Sequence, residues 1–384
     1  MATPALRVCI DVRSLPPASV NGTGVYAMEL LRRLPAGTSV FVGGEEQRIS
    51  FQALGIRTID TLAELAECQI FHRPSQIYDT AALDLFLKSP ALPVITCPDL
   101  ISYRTPALFA TFGAYRRYRG LLFASLSAAQ AVLTVSEYSR REILDEFRIP
   151  PERVHCIHLG VDASCFGMRD AAKNREVLRK HGIVAPYFFC SGSDFPHKNL
   201  SLLLRGYAWL RTLWRGPDPA PGLVLIGHRS GAPGGVFDLG AAPAQGVRYL
   251  GAVDRNDVPA LYQEALALVY PSSYEGFGLP VLEAMAAGVP VLCSRLTSLP
   301  EVAGDAALYL EELSMDEIAE RMMALANDQD LRRRLIDAGQ NRAQAFRWEE
   351  TARKTADLYA AVAEQPAPDA ALHRRMLTEL AASD

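Results

Sequence analysis

No uninterrupted apolar run in the 384 residues approaches the roughly 20 needed to cross a bilayer, so the chain reads as non-spanning. An excess of positive charge is missing as well. The 39 Lys and Arg against 43 Asp and Glu give a formal charge of −4, which argues against nucleic acid, a partner that demands a basic surface. Seven cysteines (Cys9, Cys68, Cys97, Cys156, Cys165, Cys190 and Cys293) are odd in number, and none stands in a C-x-x-C pair. Neither a zinc ribbon nor a disulfide framework follows, and reduced thiols in a cytoplasmic compartment are the simpler reading. The start, Met1-Ala-Thr-Pro-Ala-Leu6, lacks a signal-peptide pattern and runs directly into a strand pattern. No solenoid-length repeat is visible. With 49% hydrophobic and 21% charged residues, the composition is that of a globular protein long enough for two domains.

Short β-branched runs alternate with longer helical patterns, the signature of parallel sheets with crossover helices. The first set of buried strands is Val8–Val12, Thr38–Val42, Ile70–His72, Val94–Cys97, Ala131–Val135 and His155–Leu159. The second is Tyr187–Ser191, Gly222–Ile226, Val247–Leu250, Ala265–Tyr270 and Val289–Cys293. The fold class expected is therefore α/β, with two doubly wound Rossmann-like domains facing across a cleft. The boundaries read as a first domain over 1–168, a second over 169–345, a helix over 346–364 that crosses back to pack on the first, and a tail over 365–384. Ser230 to Gly246 is loop by its Gly, Ala and Pro content.

The segment with the most chemistry is Tyr270-Pro-Ser-Ser-Tyr-Glu-Gly-Phe-Gly-Leu-Pro-Val-Leu-Glu283. A strand ends at Pro271, a glycine-containing loop follows, and Pro280 fits the first turn of a helix. Such a helix start presents amides and a partial positive charge to a phosphate. Gly276 and Gly278 let backbone come close to a ligand. Glu275 in the loop and Glu283 one turn into the helix put carboxylates on either side, one for a sugar and one for ribose hydroxyls. After the strand Tyr187–Ser191 comes Gly192, then Lys198, well placed to meet the charge that develops on a departing diphosphate. In the first half, Gly22-Thr23-Gly24 lies between the first strand and a helix over Val25–Leu34. His72 and Asp99 fall at carboxyl ends of strands, where side chains enter a crevice.

This string, Glu275-Gly-Phe-Gly-Leu-Pro-Val-Leu-Glu283 with Ala284-Met-Ala-Ala-Gly-Val-Pro-Val291 and Ser298-Leu-Pro-Glu-Val-Ala-Gly304, resembles the E-x7-E region of the fourth family of retaining glycosyltransferases. Ile10-Asp-Val-Arg13, Thr134-Val-Ser-Glu-Tyr-Ser139, His158-Leu-Gly-Val-Asp162 and Trp348-Glu-Glu-Thr-Ala352 extend the resemblance over nearly the whole chain, in order. It implies the GT-B architecture and transfer of a hexose from a nucleotide diphosphate sugar with retention at the anomeric carbon. By resemblance Glu275 contacts the donor sugar, Phe277 to Leu279 offer amides to sugar and diphosphate, Glu283 holds the ribose, and Lys198 meets the leaving diphosphate. Gly251-Ala-Val253 falls where the base-contacting backbone of the family lies. Gly22, Thr23 and Gly24 approach the diphosphate from the other wall. Many relatives carry histidine before Asp99, where this chain has Pro98; Asp99 is then the candidate for the catalytic position beside the transferred sugar, with His72 as a second acceptor contact.

The donor indicated is GDP-mannose or a related GDP-sugar, and the acceptor a glycan or lipid-linked oligosaccharide in polysaccharide or lipopolysaccharide synthesis. The resemblance leaves open a UDP-sugar donor, an epimerase or a non-catalytic glycan-binding subunit. Tyr115-Arg-Arg-Tyr-Arg119 could touch a membrane at its cytoplasmic face, although a solvated helix face is the more ordinary reading. No metal is expected: Asp328-Gln-Asp330 sits where helix caps sit, and His155 and His158 at odd spacing in a strand point to opposite faces.

Overall fold

Strands that are apolar along their whole length need cover on both faces, and that is how both sheets of this chain are built. A computed structural model describes residues 6–15, 22–35, 37–216, 219–228 and 245–366. Expectations for the loop at 230–246 and for the tail lie mostly outside these. The first sheet comprises β1 (Val8–Asp11), β2 (Ser39–Phe41), β3 (Arg57–Ile59), β4 (Ile70–Arg73), β5 (Leu92–Thr96), β6 (Ala131–Thr134) and β7 (Val154–Cys156). The second comprises β8 (Tyr187–Ser191), β9 (Gly222–Ile226), β10 (Val247–Tyr249), β11 (Ala267–Tyr270), β12 (Val291–Ser294) and β13 (Leu308–Leu310). All pairings are parallel, in the orders β3-β2-β1-β4-β5-β6-β7 and β10-β9-β8-β11-β12-β13. Strand order reverses between β1 and β4 in one sheet and between β8 and β11 in the other, so each has a switch point where loops at the carboxyl ends part.

The chain divides into two units, Met1–Gly160 with Trp348–Asp384, and Val161–Arg347. The first boundary therefore falls at Gly160 rather than at 168. The reason is local: Val161 N donates to Phe346 O at 3.1 Å, and Gln263 Nε2 donates to Phe166 O and Met168 O at 2.6 and 3.0 Å. These bonds hold 161–168 in the second unit. The helix Trp348–Ala363 belongs to the first, where Thr351 Oγ1 donates to His158 O at 2.7 Å and Arg33 Nε to Glu349 at 2.8 Å.

Two expected outlines change. β3 and β13, three residues each, are additional edge strands. The helix after β1 starts at Gly22 and runs to Leu31, so Gly22-Thr23-Gly24 is its first turn and not a turn ahead of it.

In the second unit the helix Leu200–Leu213 crosses Met315–Asn327, packing Leu203, Tyr207 and Leu210 into one core with Ile318 and Met322. Gly206 permits the approach: a Cβ there would stand 2.6 Å from Ile318 Cγ2 and 3.2 Å from Met315 O. In an exposed helix Gly→Ala is worth about 1 kcal/mol of stability, but overpacking costs about 1–3 kcal/mol. Gly206→Ala should therefore lower the unfolding midpoint in a thermal melt; a rise would show that the two helices can move apart freely.

Candidate functional site

At the switch point of the second sheet the chain leaving β8 meets the chain leaving β11. Past β8, Pro196–Lys198 makes a single 3-10 turn, closed by Asn199 in the left-handed region. Asn199 Nδ2 donates to Pro271 O at 2.9 Å. Ser273 N and Ser272 Oγ both donate to His197 O, at 2.8 and 3.1 Å. This stitching aims Lys198 at the loop after β11. Its ammonium lies 2.6 Å from Glu275 Oε1 and 2.7 Å from Tyr270 Oη. Both charges are largely out of water, with 15% and 9% of their side chains exposed. Burial alone would raise the Glu275 carboxyl, but the Lys198 ammonium, with hydrogen bonds from Lys198, Ser272 and Tyr270, holds it below its ordinary value. His197 is pushed the other way, down to about 4, by burial and by Lys198, and so stays neutral.

From Glu275 the chain enters the helix Leu279–Ala286, with Gly278 as N-cap at φ 112° and Pro280 in the first turn. A side chain would be strained at that φ. A helix start carries amides with no helical carbonyl before them, and this one lies three residues from the Lys198–Glu275 pair. Phe277 is buried and packs edge-on against Phe346 at 5.8 Å. One turn in, Glu283 accepts from Tyr262 Oη at 2.9 Å. Its carboxyl is raised to about 7 by burial, against the opposing pull of Tyr262 and Arg255. Gly192 sits against the Lys198 stem, 3.7 Å from a Cβ it would otherwise carry. Its N–H donates to Ile226 O, and Gly227 N donates to Gly251 O, each at 2.9 Å. The carboxyl ends of β8, β9 and β10 are thus laced together just before Val253. Gly227 allows this, because any Cβ there would collide with the Gly192 backbone.

Three residues that hold this arrangement have no role assigned from the sequence. Tyr270 is fully buried and places the Lys198 ammonium. Thr297, a non-glycine at φ 54°, accepts from Glu275 N at 3.0 Å. Ser298 Oγ donates to Glu275 O and Phe277 O, both at 2.9 Å. Only the offset of a Thr-Ser pair just past β12, opposite the Glu-Gly-Phe-Gly loop, hints at that latch.

In the first unit the expected residues do not gather in the same way. His72 is fully buried: Nε2 lies 2.8 Å from Thr96 Oγ1, and Nδ1 2.6 Å from Tyr359 Oη on the C-terminal helix. Burial drops its pKa to about 3. It is a neutral core histidine bridging β4, β5 and that helix, and its ring does not serve as an acceptor contact. Asp99 is part-exposed at the carboxyl end of β5, where Oδ1 accepts from Ile101 N at 2.9 Å and caps a short turn. The polar group at the β1–β4 switch point is another one. Buried Asp11 accepts from Arg73 Nη1 at 2.8 Å and from Arg13 Nε at 2.9 Å, and despite burial the two guanidinium groups keep its pKa down. Tyr115 and Tyr118 turn inward, while Arg116 and Arg117 stay exposed. Asp328 caps the helix Gln329–Ala343 by accepting from Leu331 N at 2.8 Å.

Comparison with known proteins places this geometry. Residues 20–164 match the model of Glycosyltransferase Family 4, and residues 174–342 that of Glycosyl transferases group 1. Each unit thus matches a glycosyltransferase family model. It is 38% identical over 241 residues to the O-antigen chain mannosyltransferase B of Escherichia coli, covering 62% of each chain. To the MMP alpha-(1->4)-mannosyltransferase of Mycolicibacterium hassiacum it is 31% identical over 256 residues, 64% of this chain and 58% of that one. The matches thus span about three-fifths of these relatives' length. Anabaena Alr3699/HepE, solved in complex with UDP-glucose, aligns over 93% of this chain and 100% of its own, with a TM-score of 0.73 at 15% identity. The fold is GT-B.

Ser298→Ala strips a buried donor from two carbonyls. Losses of this kind cost about 1–3 kcal/mol, so the variant should melt several degrees lower. An unchanged midpoint would show that the loop keeps its shape without the latch.

Proposed function

We propose that this chain transfers a hexose, mannose in the first instance, from a GDP-sugar to a glycan or lipid-linked acceptor in the assembly of an O-antigen-like polysaccharide, with retention and without a metal. The observation that carries the proposal is the Lys198 ammonium bonded to Glu275, which stands three residues before the helix start at Gly278. An ammonium has three N–H bonds; Tyr270 and Glu275 take two, and the third is available to a phosphate oxygen. As the anomeric bond breaks, charge grows on the departing diphosphate, where a fixed cation and helix amides stabilise it at little reorganisation cost. Glu275 faces the sugar, Glu283 the ribose, and Val253 the base; Asp99 is the polar residue offered to the acceptor side. The leaving phosphate takes the proton of the acceptor hydroxyl, so no covalent enzyme intermediate is needed.

The two mannosyltransferase relatives support the sugar, and the first of them supports the polysaccharide setting. A lipid-linked acceptor would bring the chain to a membrane surface, which suits exposed Phe112, Arg116 and Arg117 on the helix Phe112–Ala128. Among the described residues no helix is long and apolar enough to cross one.

Incubation with GDP-mannose, UDP-glucose or ADP-glucose and a lipid-linked oligosaccharide, with and without chelator, tests this reading. Nucleotide release from GDP-mannose should require the acceptor and ignore the chelator, and NMR of the product should show the donor's α-configuration. Turnover of the UDP-sugar alone would replace the donor assignment, and no transfer from any donor would overturn the activity.

Glu283 gives a pH dependence. Because its folded carboxyl titrates near 7 instead of 4.5, the folded chain keeps a proton that the unfolded chain loses first, and the contribution to stability falls as pH rises between those values. Ionised Glu283 is the better acceptor for ribose hydroxyls, so GDP affinity should strengthen as pH rises through about 7. In Glu283→Gln, affinity should be weaker and this step absent; an identical profile in the variant would remove Glu283 from the ribose.

A further inference from the structure

Asp99 stands at the carboxyl ends of the first-unit strands, and one aromatic ring is tied to it. Tyr78 follows β4 by five residues, Asp99 follows β5 by three, and the two strands are neighbours. Tyr78 Oη donates to Gln76 Oε1 at 2.8 Å. Tyr118 Oη, from the helix Phe112–Ala128, donates to the same oxygen at 3.0 Å. Gln76 Nε2 in turn donates to Asp99 O, so ring, amide and Asp99 form one bonded chain. Gln76 and Tyr118 are both buried. The two phenol rings stack with centroids 4.9 Å apart and 14° between their planes, and Phe109 backs Tyr118 at 5.1 Å.

Tyr78 is the wrong way round for an ordinary surface tyrosine, which lays its apolar body on the protein and keeps its hydroxyl in water. Here the hydroxyl end is enclosed. Burial, with the Asp99 charge adding, pushes its pKa up to about 12, yet 52% of the residue stays exposed. Tyr118 covers one ring face, which leaves the other as the side turned to solvent. A hydrogen bond at one end and a stack on one face fix the ring, so a ligand that lies on it orders little that was mobile.

A fixed, exposed aromatic face near a carboxylate suits one class of ligand. The C–H side of a hexopyranose packs on the negative face of a ring, while its hydroxyls need acceptors at the rim, which a carboxylate supplies. A lipid chain would gain from the ring but would desolvate the carboxylate at a cost, and a phosphate would be repelled by it. We propose that Tyr78 is the stacking platform for a hexopyranose residue of the acceptor, with part-exposed Asp99 receiving its hydroxyls. This rests on the reading of the chain as a transferase acting on a glycan, and it names the acceptor contact that buried His72 does not make.

The test takes the full chain with a mannose-terminated trisaccharide, observed by saturation-transfer NMR without donor and then used as acceptor in the transfer assay. On the unaltered chain the C–H protons of one pyranose should receive saturation and shift upfield, the ring-current mark of a sugar lying over an aromatic face. Tyr78→Ala should abolish that shift and raise the acceptor KM roughly five- to tenfold, more than it lowers kcat. Tyr78→Phe, which keeps the ring, should retain the shift. A trisaccharide that does not bind, that binds without the shift, or that binds Tyr78→Ala equally well would overturn the proposal. So would upfield shifts on the base of added GDP in place of the sugar. A bound and shifted trisaccharide with no transfer from any donor would uphold the platform and overturn the transferase reading instead. The shift on the unaltered chain decides even where the alanine variant fails to fold.

Discussion

A cation and an anion held 2.6 Å apart with little water around them, Lys198 and Glu275, are the constraint on which the second unit's site depends. Removing two charges from solvent is costly, and attraction repays it only when geometry is good and remaining hydrogen bonds are met. Here they are met by two neighbouring hydroxyls. Tyr270 takes one hydrogen of the ammonium, and Ser272 with Tyr270 adds hydrogen bonds that favour ionised Glu275. The pair fixes where a cation stands relative to the Gly278 helix start.

Around it the backbone is arranged by short polar side chains. Asn199, Ser272 and Ser273 tie the β8 exit to the β11 exit, and Thr297 and Ser298 tie the glutamate loop to the β12 exit. Three adjacent strand ends converge through a handful of bonds of about 2.9 Å. The first unit spends its polar groups differently. Tyr26, Thr96, His72 and Tyr359 form a buried chain from the helix at Gly22 to the C-terminal helix. That chain anchors the last helix in the first unit; it leaves His72 with no free ring nitrogen.

Much of this was legible in the residues. Runs such as Tyr187-Phe-Phe-Cys-Ser191 can only be strands covered on both faces, and ten of the other twelve strands showed a similar pattern. β3 and β13 did not: Arg57-Thr-Ile59 is too short and mixed to stand out, and Leu308-Tyr-Leu310 follows two alanines in a run that reads equally as helix. Glu275, Gly278 and Glu283 stood out in one strand–loop–helix string, and Lys198 in the turn after another strand. The pairing of Lys198 with Glu275 did not, since they are 77 residues apart. His72 misled for the same reason: a strand-end position says nothing of Tyr359, 287 residues away, closing over it. Gly22-Thr23-Gly24 reads as a turn because glycine is a poor helix former, whereas in the fold those residues open the helix. Thr297 and Ser298 bind main-chain atoms, and such bonds leave no sequence pattern.

The most direct measurement of the central claim is a double-mutant cycle on unfolding free energy with Lys198→Met, Glu275→Gln and both together. Breaking a buried pair from one side leaves an uncompensated group and typically costs about 3–5 kcal/mol. The account predicts that the double variant loses clearly less than the sum of the singles, with a coupling of at least about 1 kcal/mol. Additive losses would mean that the two residues fold independently and that the pair does not organise the site.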